Sequence, residues 1–219
     1  MPSADEIINK YVAAIGGQAA IDKIKTRVMK GTIATAIGQT LTYEIVQAAP
    51  DRAYEMFVSQ RGTGERAVSG NTGWEKNPQG VRDITGQQLA DLKMSLQLFR
   101  NLKLKEQYTS LRVGGRKEKI GERDVYVITG TTPDKQRERL FFDVENGLLL
   151  RRVTYNETMI GIIPEQTDFE DYREVDGVKI PFRWTLARPN GRFTIQILEV
   201  KTNVPIEDSR FAKSAGEAK

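Results

Sequence analysis

The sequence predicts an α+β fold that is mainly antiparallel β, with about nine to eleven strands and two helical regions. Three observations predict it. From Thr26 onward apolar residues recur at every second position, as in Leu41, Tyr43 and Ile45 or Tyr54, Met56 and Val58, which is the period of half-buried strands. Turn signals punctuate these runs at Glu145-Asn146-Gly147, Asp176-Gly177 and Asn190-Gly191. Only the N-terminus and the stretch from Thr85 to Leu102 carry a helical period instead.

Taken in order, residues 3–24 read as N-terminal helices. Ser3 and Glu6 have the spacing of a capping box, in which each side chain satisfies an amide that the first turn leaves unpaired. Ile7, Ile8, Tyr11, Val12 and Ile15 fall within an arc of about 140° and give a one-sided amphipathic helix. Gly16-Gly17 ends it, and a short helical piece from Gln18 to Ile24 follows. Residues 26–84 hold the first strands, including a turn-rich hairpin, "SGNTGWEKNPQG", with Trp74 at its base. Gly62 and Gly64 lack the third glycine of a dinucleotide loop and read as a turn. Residues 86–102 read as one helix, capped by Thr85 and Gln88. Its two apolar stripes, Leu89-Leu92-Leu96-Phe99 and Met94-Leu98-Leu102, span about 220°, which suits a helix buried on two sides, as a lid or plug or as a core helix. Residues 108–202 carry the remaining strands, and 214–219 read as a loose tail.

A chain of 219 residues with 39% hydrophobic and 28% charged residues is expected to pack as a single globular domain, here 1–213. Its net charge of +4 and pI near 9.2 come without a basic block. Together with the lack of interleaved aromatics in "LRVGGRKEKIGER", this argues against nucleic-acid binding and allows transient contact with a membrane surface. The absence of cysteine and histidine removes disulfides, thiolate chemistry, covalent haem attachment and every Ser-His or Cys-His arrangement. No Ser-x-x-Lys motif replaces them. No enzyme, metal or cofactor is expected. The start, "MPSADEII", reads as a mature N-terminus from which a signal peptide has been removed.

One segment stands out against this background. Met159, Ile160, Ile162 and Ile163 place four large apolar side chains in what reads as a connection, where leaving each one wet forgoes about 1.5 to 3 kcal/mol. They form either the rim of a cavity mouth or a docking loop, covered by the protein itself, by lipid or by a partner. The following carboxylates, Glu165, Asp168, Glu170, Asp171, Glu174 and Asp176, alternate along a strand and lack the glycine turn of a calcium loop, so they read as a solvated face. Asn156 heads an Asn-Glu-Thr sequon that matters only in a eukaryotic secretory setting.

The segments "SGNTGWEKNPQGVRDIT", "LFFDVENGLLLRR" and "DYREVDGVKIPFRW" resemble the LolA/LolB-like lipoprotein-carrier superfamily. The resemblance is nearest to a subgroup, ending in "NVPIEDSRF", that also occurs appended to multihaem cytochrome subunits. It implies a strongly curved open sheet, an incomplete β-barrel, with helices covering its concave side and an apolar cavity between them. The candidate lining is Tyr43, Tyr54, Met56, Val58, Trp74, Leu92, Leu96, Phe99, Phe142, Phe182 and Trp184, although strand aromatics also serve as plain core. The implied function is noncatalytic carriage of a lipid or of the acyl chain of a lipoprotein, in the periplasm or another envelope compartment. An accessory domain of a membrane-associated or cytochrome-containing assembly is the alternative. The sequence departs from the family in having no lipid-modifiable cysteine, no haem site and no legible counterpart of the arginine with which the carrier latches its lid.

Overall fold

The computed structural model describes residues 1–159 and 161–213. The chain opens with two helices, α1 (Ala4–Ala14) and α2 (Gln18–Lys23). Six strands follow: β1 (Thr26–Ala34), β2 (Thr40–Ala48), β3 (Arg52–Ser59), β4 (Gly62–Ser69), β5 (Thr72–Asn77) and β6 (Gly80–Asp83). After α3 (Gly86–Leu96) come β7 (Ser110–Val113), β8 (Glu118–Ile120), β9 (Arg123–Thr131) and β10 (Arg137–Asp143). The chain continues through β11 (Leu149–Thr158), β12 (Gly161–Val175), β13 (Val178–Arg188) and β14 (Gly191–Thr202). The fourteen strands form an open antiparallel sheet that ends at β6 and at β7, with β8 beside β7 on β9. The count exceeds the predicted nine to eleven, and β6, β7 and β8 are short strands of 4, 4 and 3 residues.

The chain divides into two compact units: unit 1 comprises residues 1–22 and 103–195, and unit 2 comprises 23–102 and 196–219. In unit 1, α1 buries Ile7, Ile8 and Tyr11, its C-cap Ile15 is buried too, and Tyr11 meets Phe142 of β10 edge to face at 5.5 Å. The Ser3–Glu6 capping box is formed. Gly16, at φ +116°, ends the helix where a Cβ would come within 2.0 Å of the Gly177 carbonyl oxygen, so no other residue fits there. The Lys179 amide donates to the Ile15 carbonyl beside it at 2.9 Å. Asp176 and Gly177 both take positive φ, as a two-residue hairpin turn demands.

Unit 2 is a meander, β1 to β6, whose register sorts side chains onto two faces. Arg27, Tyr43, Ile45, Gln47 and Glu55 share one face, and α3 lies on it. Val46, Ala48, Tyr54, Ala67 and Trp74 share the other and form a core with Phe211 from the C-terminal segment. The Trp74 indole N–H donates to the Phe211 carbonyl at 3.0 Å. Arg52 and Arg210 of this unit stack on Phe211 and Tyr54 and pair with Asp208 and Glu44, fastening the segment down.

Two elements differ from expectation. Helix α3 stops at Leu96, because Gln97 turns to ψ 140°, so Leu98, Phe99 and Leu102 lie beyond it in turns. Its buried residues are Leu92 and Leu96, a single stripe rather than two. Thr85 occupies the N-cap without a side-chain bond, and Gln88 instead accepts from Arg82. The segment read as a connection after Thr158 is a hairpin: Glu157 pairs with Ile162, Asn156 with Ile163 and Tyr155 with Pro164. Ile160 and the predicted tail 214–219 lie outside the described residues.

Candidate functional site

The candidate lining residues are distributed over both units. Phe142, Phe182 and Trp184 belong to unit 1, and the other eight belong to unit 2. Within unit 2 the strand register separates them. Tyr43 points to the α3 face, where Leu92 and Leu96 pack, whereas Tyr54, Met56 and Trp74 point to the opposite face and join the core capped by Phe211. Val58 shares that second face and is exposed. Side chains alternate across a strand, and Tyr43 pairs with Phe57, three residues from Tyr54, so Tyr43 and Tyr54 face opposite sides of the sheet and cannot meet one cavity. Phe99 is half-buried beyond the end of α3. In unit 1, Phe142 is buried under α1, Arg173 stacks 4.7 Å over Phe182, and half-buried Trp184 stands opposite Phe169.

What the structure brings together is a polar anchor beneath α3. Arg27 on β1, only 9% exposed, donates from Nε to the Gln47 side-chain oxygen at 2.9 Å and from Nη2 to the Leu98 carbonyl at 3.2 Å. Gln47 on β2 donates to the Leu96 carbonyl at 2.5 Å. Gln47 thus satisfies a last carbonyl of α3, which has no intrahelical partner, and Arg27 satisfies a carbonyl of the turn that follows the helix. Register explains the placement, since Arg27 and Gln47 are directly paired across β1 and β2. Sequence reasoning missed both: a strand-initial arginine normally signals solvent, and nothing local marks it as buried.

On the same face, Glu55 accepts from Tyr43 at 2.9 Å and pairs with Arg66 of β4. Burial, then the Glu55 charge, pushes the Tyr43 hydroxyl well above the usual tyrosine range. Burial works against the Arg66 charge, but Glu55 outweighs it and raises that pKa further. Unit 1 holds a counterpart under α1: Glu138, 0% exposed, accepts from Tyr108 at 2.5 Å and from Thr154 at 2.9 Å, with Arg152 at 3.6 Å. Nearby Tyr172 donates to the Leu149 carbonyl at 2.8 Å, and burial followed by the neighbouring Tyr11 raises its pKa strongly. Each cluster surrounds a buried carboxylate with hydrogen-bond donors and a cation, the condition for burying such a group.

Unit 1 also has a cleft of about 200 Å³ beside α1, bordered by Pro2, Ile7, Lys10, Tyr126, Phe142 and Gly147. Four carboxylates of β12 have arginine partners: Glu165 with Arg188, Asp168 with Arg151, Glu170 with Arg183 and Asp171 with Arg173. Asp171 sits at φ +53°, which breaks the strand alternation so that Glu170 and Asp171 are both exposed. The rim residues form the β11–β12 tip, with Met159 fully exposed, Ile162 61% exposed and Ile163 half-buried. Among the described residues no helix is long and apolar enough to cross a membrane.

No family model matches the sequence, and no curated protein does. Solved structures match over almost the whole chain. A LolA superfamily protein from Nitrosomonas europaea aligns with TM-score 0.66 at 16% identity, covering 97% of this chain and 99% of its own. A DUF1329 family protein from Desulfovibrio piger aligns with TM-score 0.68 at 15% identity, covering 97% and 98%. A putative outer membrane lipoprotein-sorting protein domain from Vibrio parahaemolyticus aligns with TM-score 0.67 at 14% identity, covering 94% of each chain. The chain has a LolA-like fold.

Proposed function

We propose that this chain, built on a LolA-like fold, is a noncatalytic binding protein for a hydrophobic ligand of the bacterial cell envelope, a lipid or the acyl chain of a lipoprotein. The observation that carries the reading is the way α3 is held in unit 2. Its apolar seal is thin, Leu92 and Leu96 on one stripe, while its end is fastened by two donors from the sheet, Arg27 and Gln47. A helix held in this way releases more readily than one held by a broad apolar face. Opening α3 uncovers an apolar strip and frees Arg27 and Gln47 to face whatever replaces it, and both match an ester or carboxylate oxygen next to an acyl chain.

The energetics set what a ligand must supply. A hydrogen bond to a charged group is worth about 1.5 to 3 kcal/mol, so the ligand has to replace the Leu98 contact as well as the buried leucines. A ligand shifts the closed–open balance only by its differential affinity for the two forms. Support for a binding role over catalysis comes from the absence of histidine and cysteine and from the arginine partners of the β12 carboxylates. Support for the ligand class comes from the structural likeness to a putative lipoprotein-sorting domain.

The test is a titration with an apolar fluorescent probe, displaced by a fatty acid or a phospholipid, alongside native mass spectrometry of gently purified protein. Saturable probe binding that Arg27→Met alters, or copurified lipid, is the expected result. A folded protein with no saturable probe binding and no lipid would remove the carrier reading.

A further inference from the structure

We propose that the β11–β12 tip of unit 1 is a finger that seats the protein on an anionic lipid surface. The ladder between β10 and β11 ends at Arg137 with Tyr155, and the ladder between β12 and β13 ends at Gln166 with Ala187. The β11–β12 ladder runs on past both ends, to Glu157 with Ile162 and Thr158 with Gly161, a projection of roughly 10 Å at about 3.4 Å per residue. Met159 is 105% exposed at its end and Ile162 is 61% exposed just behind it. Gly161 takes φ +118°, and the Thr158 hydroxyl, opposite it in the register, donates to its carbonyl at 2.7 Å. The finger is a shaped element, not a frayed connection.

A collar of charge surrounds its base. The turn between β9 and β10 reaches it through Gln136, which donates to Asn156 at 2.8 Å, and brings Asp134, Lys135 and Arg137 alongside. The turn between β13 and β14 brings Arg188, held on Glu165, and exposed Arg192. With Glu157 included, four cations face three carboxylates. Glu165 is already paired with Arg188, so Lys135, Arg137 and Arg192 remain against Asp134 and Glu157. Apolar side chains on a tip above a cationic collar match the layering of a bilayer surface, where apolar groups bury about 5 to 10 Å deep and basic groups lie at anionic headgroups.

Area decides between lipid and protein as the occupant. A stable protein interface takes about 800 Å² and 20 to 30 residues from each partner, which a tip two strands wide does not offer. A bilayer requires no complementary surface, and insertion of Met159 and Ile162 removes both from water. The proposal is independent of the ligand assigned to α3.

Sedimentation with vesicles made of equal parts phosphatidylcholine and phosphatidylglycerol tests it, with phosphatidylcholine vesicles as the comparison. The wild type is expected to bind the anionic vesicles more tightly, with binding that weakens as salt rises. The Met159→Ser/Ile162→Ser variant is expected to lose about ten-fold or more of that affinity, with an unchanged unfolding midpoint. Because the chain has no cysteine, Met159→Cys accepts a single environment-sensitive dye, whose emission should shift to the blue on vesicle addition. A wild type that stays in the supernatant, a double variant that binds as well as wild type, or a dye that shows no shift would each overturn the assignment. Self-association lost in the double variant, without vesicle binding, would overturn it in favour of a second copy.

Discussion

Helix α1 of unit 1 and helix α3 of unit 2 each lie on one face of their own unit's strands, and on each of those faces a glutamate is buried with tyrosine and arginine partners. They are held differently. Helix α1 buries three large side chains, Ile7, Ile8 and Tyr11, closes its N-terminus with a capping box and locks its C-terminus by backbone contact at Gly177 and Lys179. Helix α3 buries two leucines, has no side-chain cap at Thr85, and depends at its far end on Arg27 and Gln47. The difference teaches that one fold can carry a helix integral to the core and another attached by a few polar contacts, and under the proposed carrier function the second is the point of ligand entry.

The largest predicted contrast lies in the two buried glutamates. Glu138→Ala leaves Arg152 charged and buried, which costs about 3 to 5 kcal/mol when a buried pair loses one partner. Glu55→Ala costs less, about 1 to 3 kcal/mol, because the Arg66 side chain is 38% exposed and water takes over the lost partner. Chemical denaturation of both variants checks the order, and an equal loss would break the comparison. Next come the helices' apolar faces. Ile8→Ala is expected to cost about 2 to 5 kcal/mol and leave probe affinity unchanged. Leu96→Ala should fall at or below the lower end of that range and change probe affinity.

Much of unit 1's helix was legible because its signals are local. The Ser3–Glu6 spacing, the apolar stripe and Gly16-Gly17 all sit within one short stretch, and the Asp176-Gly177 turn follows from the φ those residues tolerate. The end of α3 was not legible, because Gln97 to Leu102 has good helix-forming residues and the break is set by tertiary contacts at Leu96 and Leu98. The candidate lining was assembled without register. Tyr43 and Tyr54 look alike in sequence, yet the β2–β3 pairing sends them to opposite faces. Arg27 is the clearest omission, since its burial depends on Gln47 and Leu98, distant in sequence. Met159 and Ile162 stand out in the sequence, yet their segment reads as a connection because no polar turn residue announces the hairpin.

The smallest predicted contrast concerns the two N-caps. Ser3→Ala should cost about 1 kcal/mol, the usual value of a side-chain cap. Thr85→Ala should cost much less, since Thr85 makes no such bond. Thermal or urea unfolding of the two variants resolves the difference, and a similar loss at both sites would mean that α3 is fastened at its N-terminus after all.

The central claim is that α3, unlike α1, opens without global unfolding. Amide hydrogen exchange across both helices, with and without added fatty acid, tests it most directly. The account predicts that the amides of Ala90 to Leu96 exchange well before those of Ile8 to Ala14 and that only the α3 amides change protection when fatty acid is added. If both helices exchange together at the rate of global unfolding, and fatty acid alters neither, α3 is core and the releasable helix does not exist.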